Sequence, residues 1–323
     1  MKSDLRKKIL CSILAAGVLG TADFALAANS GGDEIYEGAY IGNNGTGCNN
    51  GVYVDTNENY QTIVGGYGSN TYANDNTLIV NGEMDFGYMP ENPTGGIEHI
   101  ICGGFSNISA DRNSILLNEI NFANVSGVQV YGGLIMPTGE DIEVSINYNN
   151  VEINNSVING SYFDGYENVI AGGGVYESAY DDDYPNVVSA DFNNVRINYS
   201  EFISSNGSNK SIICGGDANA QKDASASFNN VVLNYVDYNS DVNQKNAVSI
   251  YGGRALAQEN ASAEYNSVVL NRVNLSSYDY QLFGGGALGQ SNNNSVVIND
   301  SKLKIVENGT SDIYGGYALK KSE

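Results

Sequence analysis

The residues of this 323-residue chain that could break bonds have spacings that fit little known chemistry. The densest acidic cluster is Asp181-Asp182-Asp183. Glycoside hydrolysis needs two carboxylates held apart on either side of the scissile bond. Three consecutive aspartates between Tyr180 and Tyr184 read instead as a solvated insertion. The triplet also lacks the alternating ligand spacing of a dedicated calcium loop. His99 is the only histidine. It sits in Glu98-His99-Ile100-Ile101, leading into an apolar strand, and no G-x-S-x-G segment offers it a nucleophilic serine. Its expected place is a strand edge. The cysteines, Cys11, Cys48, Cys102 and Cys214, show no zinc-ligand spacing with each other or with His99. No catalytic, cofactor-binding or metal-binding residue is assigned, no cofactor is expected, and the chain is not expected to be an enzyme.

Charge narrows the partners. Fifteen basic and 37 acidic residues give a formal charge of -22. Such a surface repels phosphate backbones, so nucleic acid is not an expected partner. It also disfavours anionic membrane surfaces. Acidic polysaccharides would want a basic groove, and the cations read as scattered.

The first residues read as an address. Lys2, Arg6, Lys7 and Lys8 precede a mostly apolar run, Ile9 to Leu19, and Ala25-Leu26-Ala27 forms a small-residue cleavage site. Residues 1–27 are therefore expected to be a secretory signal peptide cut after Ala27; the apolar run is shorter than the ~20 residues of a membrane span. Cys48, Cys102 and Cys214 remain after cleavage. Cys102 and Cys214 each precede a Gly-Gly pair, where other copies carry Val64, Tyr131, Ala171, Tyr251, Phe283 or Tyr314. They are read as small hydrophobes. Three repeats separate them, at least ~14 Å at the ~4.8 Å strand spacing, so no disulfide is expected.

Those Gly-Gly pairs belong to the elements that organise the chain. One is an asparagine box: Asn76-Thr-Leu-Ile-Val-Asn81, Asn113-Ser-Ile-Leu-Leu-Asn118, Asn149-Asn-Val-Glu-Ile-Asn154, Asn193-Asn-Val-Arg-Ile-Asn198, Asn229-Asn-Val-Val-Leu-Asn234, Asn266-Ser-Val-Val-Leu-Asn271 and Asn294-Ser-Val-Val-Ile-Asn299, with a worn copy at Asn50–Asp55. The other ends in Gly-Gly, as in Ile63-Val-Gly-Gly66, Val130-Tyr-Gly-Gly133 and Ile250-Tyr-Gly-Gly253. They alternate from residue 35 to residue 316, a period that marks a repeat architecture.

Within a box, Val268 and Leu270 are expected to face a core and Val269 to face outward, since outward slots elsewhere hold Glu152 and Arg196. The bounding asparagines are expected where the strand bends, in left-handed backbone or in stacked amide ladders. The glycines are expected to supply positive φ or close backbone approach. Stacked copies would make a right-handed parallel β-helix over residues 28–323, in about eight repeats of 29–43 residues. Two coils per repeat are expected, giving ~16–17 coils and a rod ~75–80 Å long. A transmembrane β-barrel fits less well, because the boxes are short, bounded by asparagine and poor in aromatic girdles. Pro90–Pro93, Pro137–Asp141 and Tyr180–Pro185 are expected to be loops projecting from the rod. Tyr131 and Tyr251 are expected to stack on the Gly-Gly strands, and Tyr176, Tyr180 and Tyr184 to lie in loops suited to glycan or protein contact.

A signal peptide followed by N-[NS]-V-x-[IL]-N boxes and [IV]-Y-G-G-x-A segments, closest in Ile250–Ala255 and Ile313–Ala318, resembles the passenger regions of Gram-negative autotransporters over about residues 35–318. The resemblance implies a right-handed β-helix displayed at the cell surface, on the outer membrane, or secreted, with a structural, adhesive or virulence role. Host glycans or surface proteins are the implied partners. The family's C-terminal outer-membrane barrel is not in this sequence and would have to be encoded beyond it. The last residues, Leu319–Glu323, follow a Gly-Gly element with no polar capping repeat, so an uncapped end exposing apolar core is expected. The alternative is a secreted carbohydrate-active β-helix enzyme of lyase or glycosidase type.

Overall fold

The computed structural model describes residues 23–25, 39–41, 48–54, 62–68, 71–82, 99–125, 127–136, 142–160, 167–175, 184–204, 210–240, 247–305 and 309–319. These residues contain strands and no helix, and every strand pair is parallel. The chain is a parallel β-helix. Four sheets run along it, of nine, nine, six and four strands. The eight asparagine boxes with Asp23–Ala25 form one nine-stranded sheet, here the box sheet, and the Gly-Gly segments with Ala39–Ile41 form the other, the glycine sheet.

One repeat is one coil. After the glycine-sheet strand Lys210–Ala220 comes Asp223–Ser225 in the short four-stranded sheet. Asn230–Asn234 follows in the box sheet and Asp237–Ser240 in a six-stranded corner sheet. The path then returns to the glycine sheet at Ala247–Ala257. Each box pairs directly with the next: Asn150 faces Asn194, Asn194 faces Asn230, and Asn234 faces Asn271. Two coils per repeat is therefore incorrect. The repeat is spent on four strands in one wide turn, so nine rungs give a rod only ~38 Å long over eight steps of ~4.8 Å.

The alternation within the boxes is as read from sequence. Val268 and Leu270 are fully buried, as are Leu78, Val80 and Ile197, while Arg196 points outward and is exposed. They join Val236, Tyr238, Val248 and Ile250 in one continuous core between the box, corner and glycine sheets. A second core is lined mostly by alanines. It packs the far half of the glycine strands (Ala218, Ala220, Ala255, Ala257) against the short sheet and its exit (Ala224, Ala226, Ala261, Ala263).

Asparagine and glycine meet at the waist between the two cores. A Cβ on Gly133 would lie 2.8 Å from Asn149 Nδ2, and one on Gly216 would lie 2.7 Å from Asn229 Nδ2. A Cβ on the preceding glycine of each pair would strike the carbonyl of its counterpart one rung on, as Gly172 would strike Gly215. Close approach is thus the reason for the pair. Positive φ is not, for the only described glycine in that region is Gly82, at 109°.

The bend residues also differ from expectation. The bounding asparagines are not left-handed; their outer neighbours are. Asp75, Arg112, Tyr148, Phe192, Phe228 and Tyr265 precede a box, and Glu119, Asn155, Tyr199, Tyr235 and Arg272 follow one, all with φ between 50° and 61°. The asparagine side chains carry the ladders instead.

Asp23–Ala25, inside the expected leader, is placed as a strand against Asn50–Val52. Pro90–Pro93, Pro137–Gly139, Glu140, Asp141, Tyr176, Tyr180 and Asp181–Asp183 lie outside the described residues. Tyr184 is half-buried and Pro185 buried.

Candidate functional site

The residues that could present a function stand in columns along the rod, one side chain per rung. The innermost column is built by the first asparagine of each box. The backbone N–H of Asn76 donates to Asn113 Oδ1 at 2.9 Å, that of Asn113 to Asn149 Oδ1 at 2.8 Å, and so on through Asn193 and Asn229 to Asn266, whose N–H donates to Asn294 Oδ1 at 2.7 Å. The left-handed residue before each asparagine turns this N–H out of the ordinary ladder, and the next side-chain carbonyl replaces the missing acceptor. From Asn76 to Asn266 these asparagines are fully buried, and Asn294 at the last rung is half-buried.

The closing asparagines form a second, half-buried column of opposite sense. Asn118 Nδ2 donates back to Asn81 Oδ1 at 2.7 Å, and the pattern continues through Asn154, Asn198, Asn234 and Asn271 to Asn299. A third column was not read from the sequence. Asn74, Asp111, Asn147 and Asp191 accept, through Oδ1, the N–H of the equivalent residue one rung on: 2.7 Å for Asp111, 2.6 Å for Asn147, 2.7 Å for Asp191 and 2.5 Å for Ser227. Serines two residues earlier brace it. Ser109 and Ser145 donate to Asp111 Oδ2 at 2.9 and 2.8 Å. Its signature is a small extension of the box, as in Ser189-Ala-Asp-Phe-Asn193 and Ser225-Ala-Ser-Phe-Asn229. Cys48 opens this column, its thiol accepting the Asn74 N–H at 3.4 Å.

The left-handed bends carry the exposed aromatics. Tyr148, Phe192, Phe228 and Tyr265 stack at 4.8, 4.8 and 4.9 Å between centroids, with ring planes within 5°. All four are 41–57 % exposed. Their faces cover one another, so ring edges and phenol hydroxyls meet solvent. This is a column that stiffens the bends. One rung earlier the same margin holds a bidentate pair, Arg112 on Asp75 at 2.6 and 2.7 Å. On the opposite margin Tyr199 stacks on Tyr235 at 4.8 Å, and Arg272 lies over Tyr235 at 5.1 Å while donating to its hydroxyl at 2.6 Å.

The outward face of the glycine sheet is apolar. Val64, Cys102, Tyr131, Ala171 and Cys214 are buried there, and burial pushes both thiols well above their ordinary pKa. Cys102 and Cys214 stand three rungs apart, through Tyr131 and Ala171, and both are free thiols. Tyr251 stacks on Phe283 at 5.2 Å. Beside them Arg254 donates to Asp217 Oδ1 at 2.8 Å and also to Oδ2. His99 is the first residue of the glycine-sheet strand His99–Ser106, which pairs on both sides, with Thr62–Gly68 and Val128–Ile135.

A groove of about 510 Å³ lies among these surfaces. It lies where the short sheet begins, with Glu143 and Asp111 among its lining residues and Tyr72 on its rim, 58 % exposed. Both Asp111 oxygens are occupied by the polar column. Among the described residues no group of three or more His, Cys, Asp or Glu is placed to hold a metal ion. In comparison with known proteins, no family model, curated relative or solved structure matches this chain.

Proposed function

We propose that this chain is an exported, surface-displayed or secreted β-helical rod with a structural or adhesive role, of the kind the autotransporter-passenger resemblance implies. One observation carries the reading. Polar side chains spend their hydrogen bonds along the rod, rung to rung, instead of converging across a cleft. The aspartates in those columns, Asp75, Asp111, Asp191 and Asp217, each pair with a neighbouring rung. That arrangement supports a long, regular, stiff surface whose contacts with a partner would be many and individually weak. The acidic surface repels nucleic acid; host glycans and surface proteins are the partner classes that the resemblance implies.

Among the described residues, the groove at Asp111 and Glu143 favours the alternative, a carbohydrate-active enzyme. A screen of glycans and host surface proteins, scored for binding and for product release, separates the two. Binding without release is expected. Product release at catalytic rates that vanishes in Asp111→Asn overturns the adhesive reading.

A further inference from the structure

The outward face of the box sheet carries a short, ordered strip of side chains. Its middle column runs Leu116, Glu152, Arg196, Val232 and Val269, one residue per rung. Arg196 is exposed and the other four are half-buried. Ile79, the preceding member of the column, is buried, so the open strip starts at Leu116. Polar columns flank it, with Asn150 and Asn194 on one side and Asn154 and Asn198 on the other. At the two bends beyond them stand exposed aromatics, Tyr148 to Tyr265 at one and Tyr199 with Tyr235 at the other. Aliphatic and aromatic groups gathered on one exposed face mark an interaction surface.

The strip holds one acid and one base, and they are neighbours. Glu152 and Arg196 are register partners on adjacent rungs. Glu152 accepts long amide bonds, from Asn154 at 3.4 Å and Asn198 at 3.5 Å. Among the described residues no carboxylate stands within ion-pair distance of Arg196. Along the rod the order is apolar, acid, base, apolar, which a half-turn converts into its own complement. A twofold axis along the strands, between these two rungs, brings Glu152 opposite Arg196 of a second copy and Leu116 opposite Val232. Two such faces can also meet about an axis along the rod. That arrangement opposes Glu152 to Glu152 and Arg196 to Arg196, and like-charge juxtaposition penalises it.

We propose that two copies of this chain pair laterally, box sheet on box sheet with the rods antiparallel, about the twofold axis between the rungs of Glu152 and Arg196. The contact is isologous and closes at two copies. Its four charges alternate, each guanidinium lying between two carboxylates, and such a quartet fixes register and orientation more than it adds affinity. From bend to bend, Phe192 to Tyr199, the face is ~23 Å wide at ~3.3 Å per residue, and the rungs from Leu116 to Val232 make it ~19 Å tall. A contact of ~440 Å² per copy, or ~900 Å² in all, falls short of the ~1,200–2,000 Å² of stable complexes. The pairing is therefore weak and concentration-dependent. It needs neither display nor a glycan, so it stands or falls apart from the adhesive reading.

Sedimentation equilibrium of the full chain over a concentration series tests it. Arg196→Glu leaves only acids at the centre of the joint, and Glu152→Arg leaves only bases. Each alone should weaken dimerisation roughly tenfold or more. An equimolar mixture of the two single variants should form a heterodimer, because each supplies the charge the other lacks. The chain carrying both substitutions should pair with itself again. Circular dichroism should not change, since the same outward slot holds Leu116 and Val232 on the neighbouring rungs. A nitroxide on Leu116→Cys should block pairing as the single charge variants do. A monomer at every concentration overturns the proposal. So does dimerisation that neither single substitution nor the nitroxide weakens, or two single variants that stay apart when mixed while the wild type dimerises.

Discussion

Asn149 shows how one side chain serves two rungs. Its Oδ1 accepts from the Asn113 backbone N–H and from Asn113 Nδ2, and its own Nδ2 donates to Asn193 Oδ1. Asn149→Ala orphans buried donors at a cost of about 1–3 kcal/mol each. Asn154→Ala, in the half-buried outer column, should cost about 1 kcal/mol. Urea unfolding of the two variants checks the ranking. Tyr238 offers a pH test. Burial raises its phenol pKa from the ordinary 10 to about 12, against a partly offsetting bond with Ser211. A neutral phenol favoured by the fold stabilises fully below pH 10, and that stability is lost as pH rises through about 12. Wild type should therefore lose stability over that interval, and Tyr238→Phe should remove this part of the loss. A shared slope in both proteins would contradict the burial of Tyr238. Of Cys48, Cys102 and Cys214, only Cys48 should react with a thiol reagent in the native state. Cys102 and Cys214 should react only on unfolding, since burial raises both.

At the scale of elements, the waist where glycine meets asparagine explains why the two motifs alternate so strictly. Gly133→Ala would drive a methyl into the Ala110 carbonyl and the Asn149 amide. Overpacking of that kind costs about 1–3 kcal/mol. Gly286→Ala would touch only the Tyr251 ring, at 3.3 Å, and should cost under ~1 kcal/mol. Thermal melts of the two variants compare them directly. The one-sided strand was legible because alternation separates Val268 and Leu270 from Val269. The hydrophobic role of Cys102 and Cys214 was legible because other copies place Val, Tyr or Phe there. The number of coils per repeat was not, because the short sheet is made of three-residue strands such as Val187–Ser189, too brief to register as a pattern. The handedness of the bends was misread for a physical reason. Asparagine tolerates left-handed backbone, yet here it is needed for its side chain, and the strain of about 1–2 kcal/mol falls on Tyr148, Phe192 and Phe228, where ring stacking of about 0.5–1.5 kcal/mol per pair offsets it. The Ser-x-Asp column was present in the sequence as an extension of the box, but its serines and alanines carry no strand signal.

For the whole molecule, the account rests on each repeat making one turn, so that equivalent residues lie one strand spacing apart. Leu116, Glu152, Arg196, Val232, Val269 and Val297 are successive register partners on the outward face of the box sheet. Five steps separate the first from the last. Spin labels at Leu116→Cys and Val297→Cys, with Cys48→Ser and the two buried thiols left in place, measure that separation by pulsed electron resonance. A narrow distribution at ~24 Å is expected from ~4.8 Å per rung. A distance of ~48 Å, the value for two coils per repeat at the same spacing, or a broad spread of distances, would contradict the stacked register on which the fold, the polar columns and the proposed role all depend.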